Sequence, residues 1–406
     1  MEYIYTIFFM LWMATNFNGA STRLLLSQPI FNVLDYGAVG NANTDDSEAF
    51  EKAWEAACGV SSNTDTPLLL IPMGKIFLLK PVVFQGPCKS STIHFLVHGN
   101  IIAPGNISDW PEDERSIWIL FSKVNGLTVD GGGVIDGVGA NWWSACSSPQ
   151  GCEKPTALAF SDCENLELSG LNHKNSPRNH ISISSCVNVS ISSLKITAPA
   201  HSPNTDGIDI AGSINVQITN LNIGTGDDCI AINGGSSYIN ISYVACGPGH
   251  GISIGSLGHN GANDSVEEIH VKHSSFFATQ NGARIKTWQG GKGYARKISY
   301  ENITLRQAGN PIVIDQFYCP GQSCKNNNSS TSAVQISDVS FIGFRGTSVA
   351  EDAINLSCDK NMGCRNIVVD NVDITSSSSK SEPHSSCVNA HGSSSDTIPP
   401  LQCLQP

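Results

Sequence analysis

Asn204-Thr205-Asp206-Gly207-Ile208-Asp209-Ile210, Gly226-Asp227-Asp228-Cys229-Ile230-Ala231-Ile232 and Gly249-His250-Gly251-Ile252-Ser253-Ile254 are three versions of one phrase. Twenty-two residues separate Asp206 from Asp228, and twenty-two more separate Asp228 from His250. Each polar group is followed by apolar residues at alternating positions, Ile208 and Ile210, Ile230 and Ile232, Ile252 and Ile254. Period-two alternation of β-branched residues predicts short strands, and recurrence at this interval predicts a solenoid. Parallel strands stack about 4.8 Å apart, so residues one coil apart become side-chain neighbours. A backbone wound this way would stack Asp206, Asp228 and His250 into a polar ladder.

The repeat continues on both sides. Ile181-Ser182-Ile183 joins the isoleucine columns, and Asn165-Leu166-Glu167-Leu168, Asn188-Val189-Ser190-Ile191, Asn215-Val216-Gln217-Ile218 and Tyr238-Ile239-Asn240-Ile241 form a second series, spaced 23, 27 and 23 residues apart. Each coil therefore offers at least two strands. Parallel crossovers are right-handed, so the predicted fold is all-β: a right-handed parallel β-helix. Asp45 and Glu48 read as a capping box before a short amphipathic helix ending near Ala57, with Phe50 and Trp54 on its apolar face, placed to cover the open end of the first coil. The Ser-rich tail from Ser376, broken by Pro383, Pro399 and Pro400, reads as a loose cap stapled through Cys387 and Cys403.

The chain has 406 residues, 40% hydrophobic and 14% charged, with 38 glycines. That supplies a large core and excludes disorder. The apolar run Ile4 to Met13, followed by Gly19-Ala20-Ser21, is too short to cross a bilayer and reads as a secretory signal over residues 1–20. Residues 21–406 then form one β-helical domain. Fourteen cysteines suit an oxidising compartment. Cys146 with Cys152, Cys319 with Cys324 and Cys358 with Cys364 are close enough for loop staples, while Cys163 and Cys186, one coil apart, become stacked neighbours. No Cys/His cluster has zinc spacing, so no metal is expected. Sequons at Asn106, Asn188, Asn240, Asn263, Asn302, Asn327, Asn328 and Asn355 permit glycosylation, although an asparagine inside a repeat also serves a turn. A net charge of −12 disfavours nucleic acid.

An Asp-Asp pair after Gly-Thr-Gly is by itself a turn signal. Stacking Asp206 beside it changes the reading, because crowded carboxylates cost Coulomb energy and raise at least one pKa. Paired carboxyl groups are what glycoside hydrolysis needs, one to protonate the leaving oxygen and one to activate water or attack. His250, one coil on, can hydrogen-bond the acid. Arg284 and Lys286 both leave the strand on the face opposite Ile285, where a guanidinium and an ammonium match a substrate carboxylate. Trp142-Trp143 suits either stacking on sugar rings or packing in the core.

The ordered set Asn-Thr-Asp, Gly-Asp-Asp, Gly-His-Gly and Arg-Ile-Lys resembles the four motifs of the polygalacturonases, glycoside hydrolase family 28. The likeness runs from Phe31 to Cys403. Phe31 to Gly37, Thr287-Trp288-Gln289-Gly290-Gly291 and Asp315-Gln316-Phe317-Tyr318-Cys319 resemble the plant-type members. The resemblance implies hydrolysis of α-1,4-galacturonosidic bonds of de-esterified pectin with inversion, no cofactor, and a secreted cell-wall enzyme. It implies Asp227 as general acid, Asp206 and Asp228 as holders of the attacking water, and His250 as support for the acid's protonation. Arg284, Lys286 and Tyr318 would meet substrate, with Asn204 at its turn. The expected partner is polygalacturonate, with neither nucleic acid nor membrane, and the expected state is a monomer. Endo attack is the expected mode. The alternatives are exo attack, a pectate lyase-like enzyme and a non-catalytic wall-binding β-helix.

Overall fold

The computed structural model describes residues 28–61, 65–146, 152–320, 333–378 and 382–404. The signal read over residues 1–20, Cys324, and the sequons at Asn327 and Asn328 lie outside them. The chain is a right-handed parallel β-helix. Eleven strands, one from each successive coil, make one sheet running from Val82–Gln85 to His384–Val388, and twenty more make the second. The predicted register holds: Ile208 pairs with Ile230 and Ile230 with Ile252, while Ile181 pairs with Ile208 across the longer coil.

Alternation decides which side chains enter the core. Ile181, Ile208, Ile230 and Ile252 form one inward column and Ile183, Ile210, Ile232 and Ile254 the next, all with no exposed surface. Between them the strands send Ser182, Asp209, Ala231, Ser253 and Arg284 outward in register. The second sheet turns on residues in the left-handed region, Asn165, Asn188 and Asn215 at φ 53°, 58° and 58°. Their amides stack, Asn188 Nδ2 donating to Asn165 Oδ1 at 3.1 Å and Asn215 Nδ2 to Asn188 Oδ1 at 2.8 Å. Asparagine is the residue that tolerates this backbone and satisfies its neighbour one coil away. The sequon at Asn188 is thus part of this ladder.

The helix Ser47–Cys58 closes the first coil, burying Phe50, Trp54 and Ala57. Trp54 meets Phe84 and Phe121 with ring centroids 5.3 and 5.5 Å apart, and Cys58–Cys88 ties down the helix end. Its start differs from the predicted capping box. The N-cap is Asp46, whose carboxylate instead accepts the backbone N–H groups of Val39 and Gly40, while Asp45 accepts from Ser47 and Glu48 pairs with Lys52. A second helix, Ala140–Ala145, buries Trp142 edge-on against Trp110 at 5.5 Å, and the Trp143 indole donates to Ser176 O. The tryptophan pair therefore packs and anchors.

The tail is more regular than its composition. His384–Val388 and Ala390–Ile398 add a strand to each sheet, so this segment is a further coil, with Cys387–Cys403 closing it. Cys146–Cys152 and Cys358–Cys364 form as expected, and Cys229–Cys246 is an additional bridge. Cys163 and Cys186 are free, buried and stacked. Among the described residues, no helix is long and apolar enough to cross a membrane.

Candidate active site

The turns entering the eleven-stranded sheet carry the site. Because the strands are in register, Asn179, Asp206, Asp228 and His250 lie on successive coils, two residues before Ile181, Ile208, Ile230 and Ile252. Backbone bonds fix the stack: His180 N donates to Asp206 O and Gly207 N to Asp228 O, at 2.8 and 2.9 Å. Two motif glycines are structural. A Cβ on Gly226 would stand 2.0 Å from Ser202 O, and Gly251 sits at φ +94° with Gly282 O 2.3 Å from any Cβ.

Asp228 is fully buried and saturated. Its Oδ1 accepts from Arg284 Nη2 at 2.7 Å and Ser253 Oγ at 2.9 Å, and its Oδ2 from Lys286 Nζ at 2.7 Å. The sequence assigned Arg284 and Lys286 to a substrate carboxylate; in the structure both neutralise Asp228. They sit in a nearly closed site, not on a solvated face. Lys286 Nζ also lies 5.3 Å from the Tyr318 ring centre, and Tyr318 stands edge-on to Trp288. Asp227, partly exposed, turns the other way. Its Oδ1 accepts the backbone N–H of Asp228 at 2.9 Å and is 2.9 Å from His250 Nδ1.

Charge crowding separates the carboxyl groups. Enclosure by the neighbouring coils, with the charges of Asp209, Asp227 and Asp228, pushes Asp206 well above the usual carboxylate range. Asp209 is pushed up to about 7 by its enclosure and by Asp228, against the pull of Arg178 and Lys286. Burial also raises Asp227, but the hydrogen bond and charge of His250, with Lys286, outweigh it and hold Asp227 low. Asp227, Asp228 and His250 place donor atoms within 4.8 Å of one another. They do not suit a cation, because both Asp228 oxygens are already bound to cationic side chains.

Asp206, Asp209 and Asp227 line a cleft of about 550 Å³ together with Asn204, Lys286 and Tyr318. Asn204 holds the left-handed turn at φ 58° and accepts from Lys154 Nζ at 3.2 Å. Five contributors were missed: Asp209, Ser253, Asn179, Arg178 and Lys154. Asp209 and Ser253 were legible, since they alternate with isoleucines known to point inward. Asn179 needed the 27-residue coil to be aligned, and nothing in the repeat marks Arg178 or Lys154.

Comparison with known proteins places this geometry in context. The model of glycosyl hydrolases family 28 matches residues 61–397. A probable polygalacturonase of Arabidopsis thaliana is 46% identical over 96% of this chain and 84% of its own length. A polygalacturonase of Persea americana is 43% identical over 88% of this chain and 76% of its own. Among solved structures, an endo-xylogalacturonan hydrolase from Aspergillus tubingensis superposes with a TM-score of 0.76 at 26% identity, covering 89% of this chain and 96% of that one. The polygalacturonase of Erwinia carotovora shares the fold, with a TM-score of 0.70 at 21% identity over 91% and 97% of the two chains.

Proposed function

The chain belongs to the glycosyl hydrolases of family 28, and we propose that it is a secreted cell-wall polygalacturonase, cutting α-1,4 bonds of de-esterified pectin in endo mode with inversion. The observation that carries this reading is a cleft lined by Asp206, Asp227 and Lys286, with His250 paired to Asp227 and the buried Asp228 paired to Lys286 and Arg284 directly behind it. Relatives named polygalacturonase across most of the chain support the substrate class. Five disulfides among the described residues support an oxidising destination.

Asp227 is the general acid in this reading. It is the partly exposed carboxyl whose Oδ1 lies 2.9 Å from His250 Nδ1. A substrate carboxylate entering the cleft adds negative charge and excludes water, and both effects raise the Asp227 carboxyl toward the protonated form a general acid needs. Asp206 and Asp228 hold the attacking water. Asp227 and Asp228 oxygens lie within 4.8 Å, tighter than the roughly 6.5–9.5 Å between acid and base in most inverting hydrolases, which makes the stereochemical outcome the sharpest test of inversion.

Asp227→Asn tests the acid. The variant should fold and bind oligogalacturonate as the native protein does, yet lose about 10²–10⁴-fold in the release of reducing ends from polygalacturonate. Hydrolysis near the native rate would remove Asp227 from the role and pass it to Asp206, whose carboxyl is pushed upward by burial. The same digest of the native protein, resolved by product length, should give a ladder of oligomers; monomer alone would mean exo attack.

A further inference from the structure

Arg284 and Lys286 both pair with Asp228, so a polyanionic substrate gains from further positive charge in the cleft. Arg178 and Lys154 supply it on the opposite side of the carboxylates. Both line the same cleft as Asp206 and Asp227. Asn179 is the rung one coil before Asp206, which puts Arg178 on the N-terminal side of the ladder, four coils from Arg284. At about 4.8 Å per coil that is roughly 19 Å.

Neither cation has an anionic partner among the described residues. Arg178 is exposed to the cleft and makes no hydrogen bond or ion pair. Lys154 is only 8% exposed, and its ammonium donates to two neutral oxygens, Pro203 O at 2.7 Å and Asn204 Oδ1 at 3.2 Å. Two acids stand nearby. Asp209 is engaged by the Asn179 amide instead of the Arg178 guanidinium, and Glu153, on the same segment as Lys154, pairs with neither cation. Burial and the charge of Arg178 pull the Lys154 ammonium down, against the weaker pull of Asp227 and Asp206. The two cations therefore repel each other, and neither forms an ion pair with the nearby carboxyl groups among the described residues. An anion placed between them would relieve that cost.

We propose that Arg178 and Lys154 form an anion-binding subsite that takes the carboxylate of a uronate ring on the N-terminal side of the cleaved bond. Arg178 offers the planar fork that suits a carboxylate, and Lys154 a fixed charge behind it. The inference rests on the hydrolase reading for the identity of the ligand, but it makes a separate demand: recognition here depends on the sugar's charge. The subsite also lengthens the stretch of polymer the cleft grips, which favours oligomers over single uronates.

The test is calorimetric binding of trigalacturonate, and of its neutral counterpart α-1,4-galactotriose, to the full chain and to Arg178→Gln and Arg178→Lys. The native protein should bind the anionic oligomer, Arg178→Gln should bind it about tenfold more weakly, and Arg178→Lys should recover part of the loss. Binding of the neutral oligomer should not change across the three. Equal affinity of native and Arg178→Gln for trigalacturonate, an equal loss for both oligomers, or no binding of trigalacturonate by the native protein would overturn the subsite. Hydrolysis is scored separately. Charge-dependent binding that weakens in Arg178→Gln, with no reducing ends released by the native protein, would sink the proposed function and leave the subsite standing.

Discussion

At the scale of the residue, the site is a problem in placing protons. Four carboxyl groups crowd one site, and their environments differ: Asp206 and Asp209 are pushed upward, Asp227 downward, and Asp228 is tied to two cations. Asp209 has a direct consequence for stability. Its folded value, about 7, lies above the ordinary aspartate value of 3.8, so between those pH values the unfolded chain has released a proton that the native state keeps. Stability is therefore lost as pH rises through that window and levels off above it. Asp209→Asn removes this penalty while leaving an amide oxygen for Asn179 to donate to. Its stability relative to the native protein should be near zero at pH 4 and grow with pH, with a limit of about 4 kcal/mol at pH 7. Denaturation curves across that range check it, and parallel pH profiles for the two proteins would contradict it. The outward direction of Asp209 could be read from Ile208 and Ile210, but its charge state could not. That depends on Asp228, Arg178 and Lys286 arriving from other coils.

At the scale of the element, stacking does the work. Ile230 lies between Ile208 and Ile252 in its column, with no exposed surface on any of the three. Ile230→Ala should cost about 2–5 kcal/mol in chemical denaturation. Ser190→Ala, on an exposed outward position of the other sheet, should change stability by less than about 0.5 kcal/mol. Similar losses from both would mean that the columns do not carry the fold. These columns were legible because alternation and a near-constant interval reinforce each other. The tail was not, since Ser385, Ser386 and Ser393 to Ser395 give no apolar alternation and the coil is held by backbone pairing with Asp352–Ser357 and Cys364–Ser376. The helix start was misread by one residue because Asp45 and Asp46 are both competent acceptors, and tertiary contact with Val39 and Gly40 decides between them. Cys58–Cys88 and Cys229–Cys246 join residues 30 and 17 apart, intervals unrelated to the repeat.

At the scale of the whole molecule, an acidic chain of net charge −12 is proposed to act on a polyanion, and the cleft shows how. Enclosure pushes the Asp206 and Asp209 carboxyl groups upward, two cations answer Asp228, and Arg178 and Lys154 face the ligand, so the negative charge of the groove is offset locally on an acidic body. The β-helix makes this arrangement by bringing side chains 22 or more residues apart into contact along one face. What the cleft does to its substrate is read most directly in the first product released. We predict that polygalacturonate treated with the full chain and followed by proton NMR before mutarotation yields the β anomer at each new reducing end, with no ultraviolet absorbance from a carbon–carbon double bond. An α anomer, an unsaturated product, or no new reducing ends would contradict the account.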